Sequence, residues 1–300
     1  MQAIVTGGAG FIGSHVAEAL VARGDDVLVV DNLASGKRDN VPASARFEQV
    51  DIRDAALADV FAEVRPEVCF HLAAQADVVT SVQRPDYDAE VNVLGTLRVL
   101  LAAGEAQVVF SSTGGAMYGE CERPALEDDP PRPLSPYGTS KLAGEQYLAT
   151  WNRLYETRHV SLRFGNVFGP RQDASLEGGV VAIFLERMAA GEETLIYGDG
   201  LQTRDFVYVG DVVRATLAAA GAGRGVYNIG TGTPIAVLDL HSECSRVSGY
   251  GREPVVADAR QGDLRHSVLD ASLAERELGW RPETSLADGL RLTWESISSS

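Results

Sequence analysis

The sequence predicts an α/β protein built on a doubly wound parallel sheet, with a smaller, partly interleaved α/β lobe. Three observations carry this reading. Short β-branched, apolar runs alternate with helical patterns through the first half of the chain. A glycine-rich turn, TGGAGFIG, joins the first run to the first helix. After Gly165 the alternation weakens, and turn segments such as YGDGLQ and IGTGTP intervene.

The elements follow in order. AIVTGG reads as a strand, followed by a helix over residues 11–23. DVLVVDN and RFEQVDI are the next strands, then comes a helix over 54–63. EVCFHLA leads to a helix over 86–103, QVVFSS to a helix over 136–155, and HVSLRFGNV closes the series. Strands of four to six apolar residues separated by helices are buried on both faces, as a parallel sheet requires. Residues 1–165 are therefore expected to form a nucleotide-binding domain. Residues 166–300 are expected to form the second lobe, with some segments after 204 returning to the first.

Composition bounds the function. The 300 residues are 45% hydrophobic and 23% charged, enough for a substantial core. The net charge of −16 disfavours nucleic-acid binding, which needs a basic face. No apolar run approaches the ~18 residues of a membrane span, and Met1 runs directly into a strand, so no membrane partner or leader is expected. The three cysteines, Cys69, Cys121 and Cys244, are far apart and odd in number, which points to a reducing cytoplasm. The five histidines are scattered without ligand spacing, so no metal site is expected. Of 26 basic residues only Lys37 and Lys141 are lysines. Where a lysine survives such a bias toward arginine, a compact ammonium is expected to be required.

Gly7, Gly10 and Gly13 lie between the first strand and the first helix. Glycine there permits a tight turn, lets backbone N–H groups approach a pyrophosphate and allows close helix–sheet packing. Asp31 ends the second strand, where it can accept from an adenosine ribose and repel a 2′-phosphate, so NAD is favoured over NADP. Further on, SPYGTSK opens a helix with Ser135 as N-cap and Pro136 at the first position. Tyr137 and Lys141, four apart, share a face. A free tyrosine has a pKa of about 10 and is a poor base at neutral pH. Lys141 and a nicotinamide cation are both expected to lower it.

The chain resembles the extended short-chain dehydrogenase/reductase family, and within it the UDP-glucose 4-epimerase group. The resemblance covers essentially the whole chain. It rests on TGGAGFIG, DNLASGK, VDIRD, HLAAQ, EVNVLGT, FSSTGGAMYG, YGTSK, RFGNVFGPRQ, RDFVYVGDV and RQGD. It implies a UDP-hexose 4-epimerase that interconverts UDP-glucose and UDP-galactose through a 4-keto intermediate, with tightly held NAD. Tyr137, Lys141 and Thr113 would be the catalytic set.

The same resemblance implies the cofactor contacts. Gly7, Gly10, Phe11, Ile12 and Gly13 would hold the pyrophosphate. Asp31, Asn32, Ser35, Gly36 and Lys37 would meet the adenosine half, with Asp51 and Ile52 beside them. Leu72, Ala73, Ala74, Gln75, Asn92, Ser111 and Phe164 would line the rest, with Tyr137 and Lys141 at the nicotinamide end. The UDP-sugar would meet Thr113, Asn166, Gly179, Val180, Arg204, Arg260, Asp263 and Ser267. The arginines would clamp the diphosphate, a task that suits guanidinium forks, and Asp263 would accept from the uridine ribose. Ser267 would border the C2 substituent, and its small size is expected to admit UDP-GlcNAc and UDP-GalNAc. Related dehydratases carry an Asp–Glu pair just after the threonine; Gly114 and Gly115 stand here and can exchange no proton. Apolar faces on the helices at 86–103 and 136–155 are expected to make a homodimer, as in relatives. Other readings are a 4-epimerase of another sugar nucleotide such as UDP-glucuronate, a net reductase or dehydrogenase, and a non-catalytic NAD-sensing protein.

Overall fold

The computed structural model describes residues 1–174, 179–259 and 263–298. Its strands are β1 (Gln2–Thr6), β2 (Asp26–Val30), β3 (Arg46–Glu48), β4 (Val68–His71), β5 (Gln107–Thr113), β6 (Val160–Phe164), β7 (Asn166–Phe168), β8 (Leu195–Tyr197), β9 (Thr203–Arg204), β10 (Phe206–Tyr208), β11 (Gly225–Ile229), β12 (Ile235–Ala236), β13 (Val255–Ala257) and β14 (His266–Ser267). Its helices are α1 (Phe11–Ala22), α2 (Ala56–Val64), α3 (Val78–Gln83), α4 (Pro85–Ala89), α5 (Gly95–Ala103), α6 (Pro136–Leu154), α7 (Val180–Ala189), α8 (Val209–Ala222), α9 (Val237–Ser248), α10 (Ser272–Leu278) and α11 (Leu286–Ser298).

Seven parallel strands form the main sheet in the order β11-β6-β5-β4-β1-β2-β3. The order reverses between β1 and β4, which opens a crevice at the strands' carboxyl ends. Two cores cover the sheet. On one face Val16, Ala17 and Leu20 of α1 pack with Val212 of α8 and Ala274 of α10. On the other, Leu57 and Phe61 of α2 pack with Val99 and Leu100 of α5 and Leu148 of α6. The strands are apolar on both faces because both faces meet helices. A third core, around Phe168, Phe184, Leu185, Phe206 and Leu240, belongs to the smaller lobe. That lobe is built from short sheets: β10-β7, β12-β9-β14 and β13-β8.

Two elements differ from the sequence expectation. Helix α3, capped by Asp77 through a 2.6 Å bond from the Thr80 amide, has no counterpart in it. Its VVTSVQ run is rich in β-branched residues, which disfavour helix and mask the signal. The expected helix over 86–103 is α4 and α5 joined by a π turn, Glu90–Leu94. That turn projects Asn92 inward.

Helix α6 lies unusually close to β5. A Cβ at Gly144 would stand 2.8 Å from the Phe110 ring, so glycine sets this approach. Lys141 is consequently packed against Phe110, with Nζ 4.8 Å from the ring centroid. One turn beyond Lys141, Glu145 makes a buried ion pair with Arg163 of β6 at 2.7 Å. Removing one partner of such a pair typically costs about 3–5 kcal/mol.

Candidate active site

A cleft of about 1160 Å³ runs along the carboxyl ends of the sheet, between the glycine-rich turn and the smaller lobe. Its floor is the start of α1. Gly7 has φ +70°, and a Cβ there would stand 2.5 Å from the Ala73 amide nitrogen. A Cβ at Gly13 would stand 2.1 Å from the Gly7 carbonyl oxygen. Side chains are thus excluded where a phosphate must approach. No side chain caps α1, and its first turn holds no acidic residue, so its leading amides and positive end face the cleft. These features fit a dinucleotide's pyrophosphate.

Gly7, Gly10, Phe11, Ile12 and Gly13 line this end. Asp31, Asn32, Ser35, Lys37, Asp51 and Ile52 line the part beside β2 and β3. Asp31 also braces the turn: it accepts from the Ala9 amide at 3.0 Å and the Leu33 amide at 2.8 Å. Lone pairs remain for a ribose hydroxyl. Asp51 is chelated by Arg53 and receives Asn32 Nδ2 at 2.8 Å. The Arg53 guanidinium holds its carboxyl well below the usual carboxylate range.

Leu72, Ala73, Ala74, Gln75, Ser111, Phe164, Thr113, Tyr137 and Lys141 line the inner end. The hydroxyl-rich end of β5 divides its tasks. The Ser111 carbonyl accepts from Lys141 Nζ at 2.9 Å. Ser112 Oγ donates to Glu145 at 2.5 Å. Thr113 stands beside Tyr137, where it favours the phenolate, and accepts from the Ala116 amide at 3.2 Å. Tyr137 is presented by the first turn of α6, where Ser135 Oγ accepts from the Gly138 amide at 3.1 Å.

In the cofactor-free protein the surroundings run against the expected lowering at Tyr137. Burial pushes Tyr137 up to about 12, Asp88 adds to this, and the Thr113 hydroxyl only partly offsets it. Burial also lowers Lys141 to about 8, against the pull of Asp88 and Glu145. The lysine sits 6.0 Å from the tyrosine ring centroid, with its ammonium committed to Ser111.

Asn166, Gly179 and Arg204 line the smaller-lobe side. Five other expected residues do not form the cleft wall. Gly36 packs behind the turn, where a Cβ would meet Ala9 at 2.9 Å. Asn92 is buried and holds Gln75, accepting from its amide at 2.9 Å and donating to its carbonyl at 2.9 Å. Val180 starts α7 one residue beyond the wall. Asp263 pairs with Arg204, which also donates to the Leu264 carbonyl at 2.8 Å. Ser267 is buried behind Gly115, its hydroxyl 3.5 Å from that carbonyl. Arg260 lies outside the described residues.

Sequence reasoning missed several groups. Asp88, buried on α4, accepts from Gln75 Nε2 and Asn92 Nδ2, each at 3.0 Å, and faces the Tyr–Lys pair. Arg171, Asp173 and Glu186 rim the cleft. Arg171 is tied to Glu18 of α1 at 2.8 Å. The Asp88–Asn92 spacing of four was readable, but the π turn that aims both inward was not.

The fold, the glycine cradle and the Tyr–Lys helix beside a hydroxyl-bearing strand end define an extended short-chain dehydrogenase/reductase. Residues 3–230 match the NAD dependent epimerase/dehydratase family, and the chain belongs to that family. It is 46% identical over 306 residues to the UDP-glucose 4-epimerase of Mycolicibacterium smegmatis, covering 98% of each. The UDP-glucose 4-epimerase of Thermotoga maritima, solved with UDP-glucose, superposes with a TM-score of 0.97 at 48% identity, covering 100% of this chain and 99% of that one. The Thermus thermophilus UDP-glucose 4-epimerase, solved with NAD, gives 0.94 at 46% identity and 99% coverage of both.

Proposed function

We propose that the protein is an NAD-dependent UDP-hexose 4-epimerase. It interconverts UDP-glucose with UDP-galactose, and UDP-GlcNAc with UDP-GalNAc. The observation that carries this reading is the Thr113–Tyr137–Lys141 set facing the dinucleotide cradle across one cleft, with glycines and not a proton-exchanging pair just after Thr113. At positions 114 and 115 stand glycines, and Leu269 fills the space behind Gly114, where a Cβ would stand 2.4 Å from it. Such a site can oxidise a carbinol and reduce it again but has no acid–base pair for elimination.

NAD, held by the cradle, would supply a reversible acceptor for the C4 hydrogen with its electron pair and, while oxidised, a positive charge. Tyr137 takes the proton of the 4-hydroxyl and later returns it. Thr113 holds the reacting oxygen against the tyrosine. Lys141, fixed to the Ser111 carbonyl, supplies positive charge behind the phenol. Arg204 and Asn166 hold the nucleotide end while the sugar turns its other face to the cofactor. Asp31 favours an adenosine with a free 2′-hydroxyl. Two copies pair through α5 and α6, on and next to which Leu94, Leu101, Tyr147, Leu154 and Tyr155 are exposed. Three free cysteines, two of them buried, support a cytoplasmic location.

The test is an NMR time course on purified protein, with no NAD added, using UDP-galactose and UDP-GalNAc in turn. Both should epimerise with no net NADH. Conversion of UDP-galactose alone would refute the C2 tolerance, conversion of neither would refute the reading, and stoichiometric NADH would favour a net dehydrogenase.

A further inference from the structure

Tyr137 and Lys141 lie on the inward face of α6, and Glu145 is the next residue on that face. Neither the cradle nor the proton transfer uses it. Its side chain is 1% exposed, yet both carboxylate oxygens are engaged. Oε1 accepts from Ser112 Oγ at 2.5 Å and from Arg163 Nε at 2.9 Å, and Oε2 accepts from the Arg163 guanidinium at 2.7 Å.

Ser112 stands between the two residues of β5 that meet the reacting set. On one side the Ser111 carbonyl seats the Lys141 ammonium. On the other, Thr113 stands beside Tyr137 and favours its phenolate. The proton at Tyr137 moves during turnover. The Glu145–Ser112 bond takes no part in that transfer, so it can keep the strand end and the helix in place while the tyrosine's contacts are remade. An ion pair serving stability alone would need only Arg163; the added bond to Ser112 is what reaches the site.

We infer that Glu145 is a positioning residue for the proton transfer, acting through Ser112 to set where β5 places the Thr113 hydroxyl and the Ser111 carbonyl. This rests on the epimerase reading above. Small misplacements of reacting groups can cost about 100-fold in rate, so loss of one tether should be visible in turnover.

The experiment uses the NAD-loaded full chain and UDP-galactose. Ser112→Ala removes the tether and leaves the ion pair in place. It should lower kcat about 10-fold, leave KM within about twofold, and change neither melting temperature nor NAD content. Ser112→Thr keeps the hydroxyl and should recover most of the loss. The double change Glu145→Met with Arg163→Met deletes the pair without leaving an unpaired buried charge. It should give a folded protein with a similar kcat defect. A Ser112→Ala enzyme with full kcat, a loss lying wholly in KM, or a folded double variant with full kcat would overturn the inference while leaving the reading intact. A wild-type protein that leaves UDP-galactose unchanged would overturn the reading, and the inference with it.

Discussion

At Tyr137 the fold opposes the charge that the proposed reaction needs. A phenol pushed up to about 12 keeps its proton at neutral pH, and the one ammonium nearby is itself weakened by burial to about 8. A positive ring beside the phenol favours the phenolate. Loading with NAD should therefore shift the tyrosine's ionisation toward neutrality. The difference in near-ultraviolet phenolate absorption between wild type and Tyr137→Phe, titrated with and without NAD, checks this; an unmoved titration refutes it. Tyr137→Phe should retain NAD and lose at least about 100-fold in kcat, the scale of a general base. Between pH 10.0 and about 12 the cofactor-free protein keeps a proton that the unfolded chain has lost, so this group's contribution to stability falls as pH rises through that window. Lys141 has the opposite slope: its burial penalty is present below about 8 and is relieved as pH rises toward 10.5.

At the scale of elements, two helix starts define the site. Helix α1 presents uncapped amides over a floor where Gly13 admits no Cβ. Gly13→Ala should push the backbone of the turn apart and reduce co-purified NAD by about 10-fold or more, read from the ratio of nucleotide to protein absorbance, since dinucleotide binding depends on close backbone approach. Helix α6 starts at the Ser135 cap and Pro136, and that start aims Tyr137. Ser135→Ala should destabilise by about 1 kcal/mol in urea unfolding, the usual worth of such a cap, and should lower kcat as the first turn frays. An unchanged unfolding midpoint would show that tertiary contacts alone hold that turn. The π turn between α4 and α5 acts differently. It turns Asn92 onto Gln75, Asp88 and Ser140, so one buried amide joins three segments beside the catalytic face.

For the whole molecule, assembly and the union of the two lobes matter. The exposed Leu94, Leu101, Tyr147, Leu154 and Tyr155 lie on or beside the ends of α5 and α6. Leu101→Arg combined with Leu154→Arg should convert a dimer to a monomer by light scattering, because charges at the centre of an apolar contact cannot be desolvated cheaply. A dimer that survives both changes places the contact elsewhere. The lobes meet through single carboxylates that gather distant strands. Asp205 accepts from Thr231, Gly232 and Leu269. Glu120 accepts from the Arg265 amide at 2.7 Å and the His266 amide at 2.8 Å. Among the described residues no helix is long and apolar enough to cross a membrane.

By itself the sequence determined the parallel sheet, because continuous apolar strands have no other way to be covered than by helices on both faces. It also determined the glycine cradle and the pairing of Tyr137 with Lys141, because these depend on local turn geometry and on the period of one helix. Most of the cleft wall was legible from such motifs. Interactions that close over long stretches of chain were not. Asp88 and Glu145 could be read as ordinary helix carboxylates until packing buried them beside Lys141. The upward push on Tyr137 comes from burial, which no spacing reveals. Arg204 and Asp263 could be assigned to a substrate separately, but only the fold shows them paired. Ser267 could be read from sequence as bordering the sugar, but only the fold shows its hydroxyl 3.5 Å from the carbonyl of Gly115, a residue of the cleft wall. Residue identity and period dictate local shape; desolvation and pairing depend on what arrives from elsewhere in the chain, and that only the tertiary structure decided.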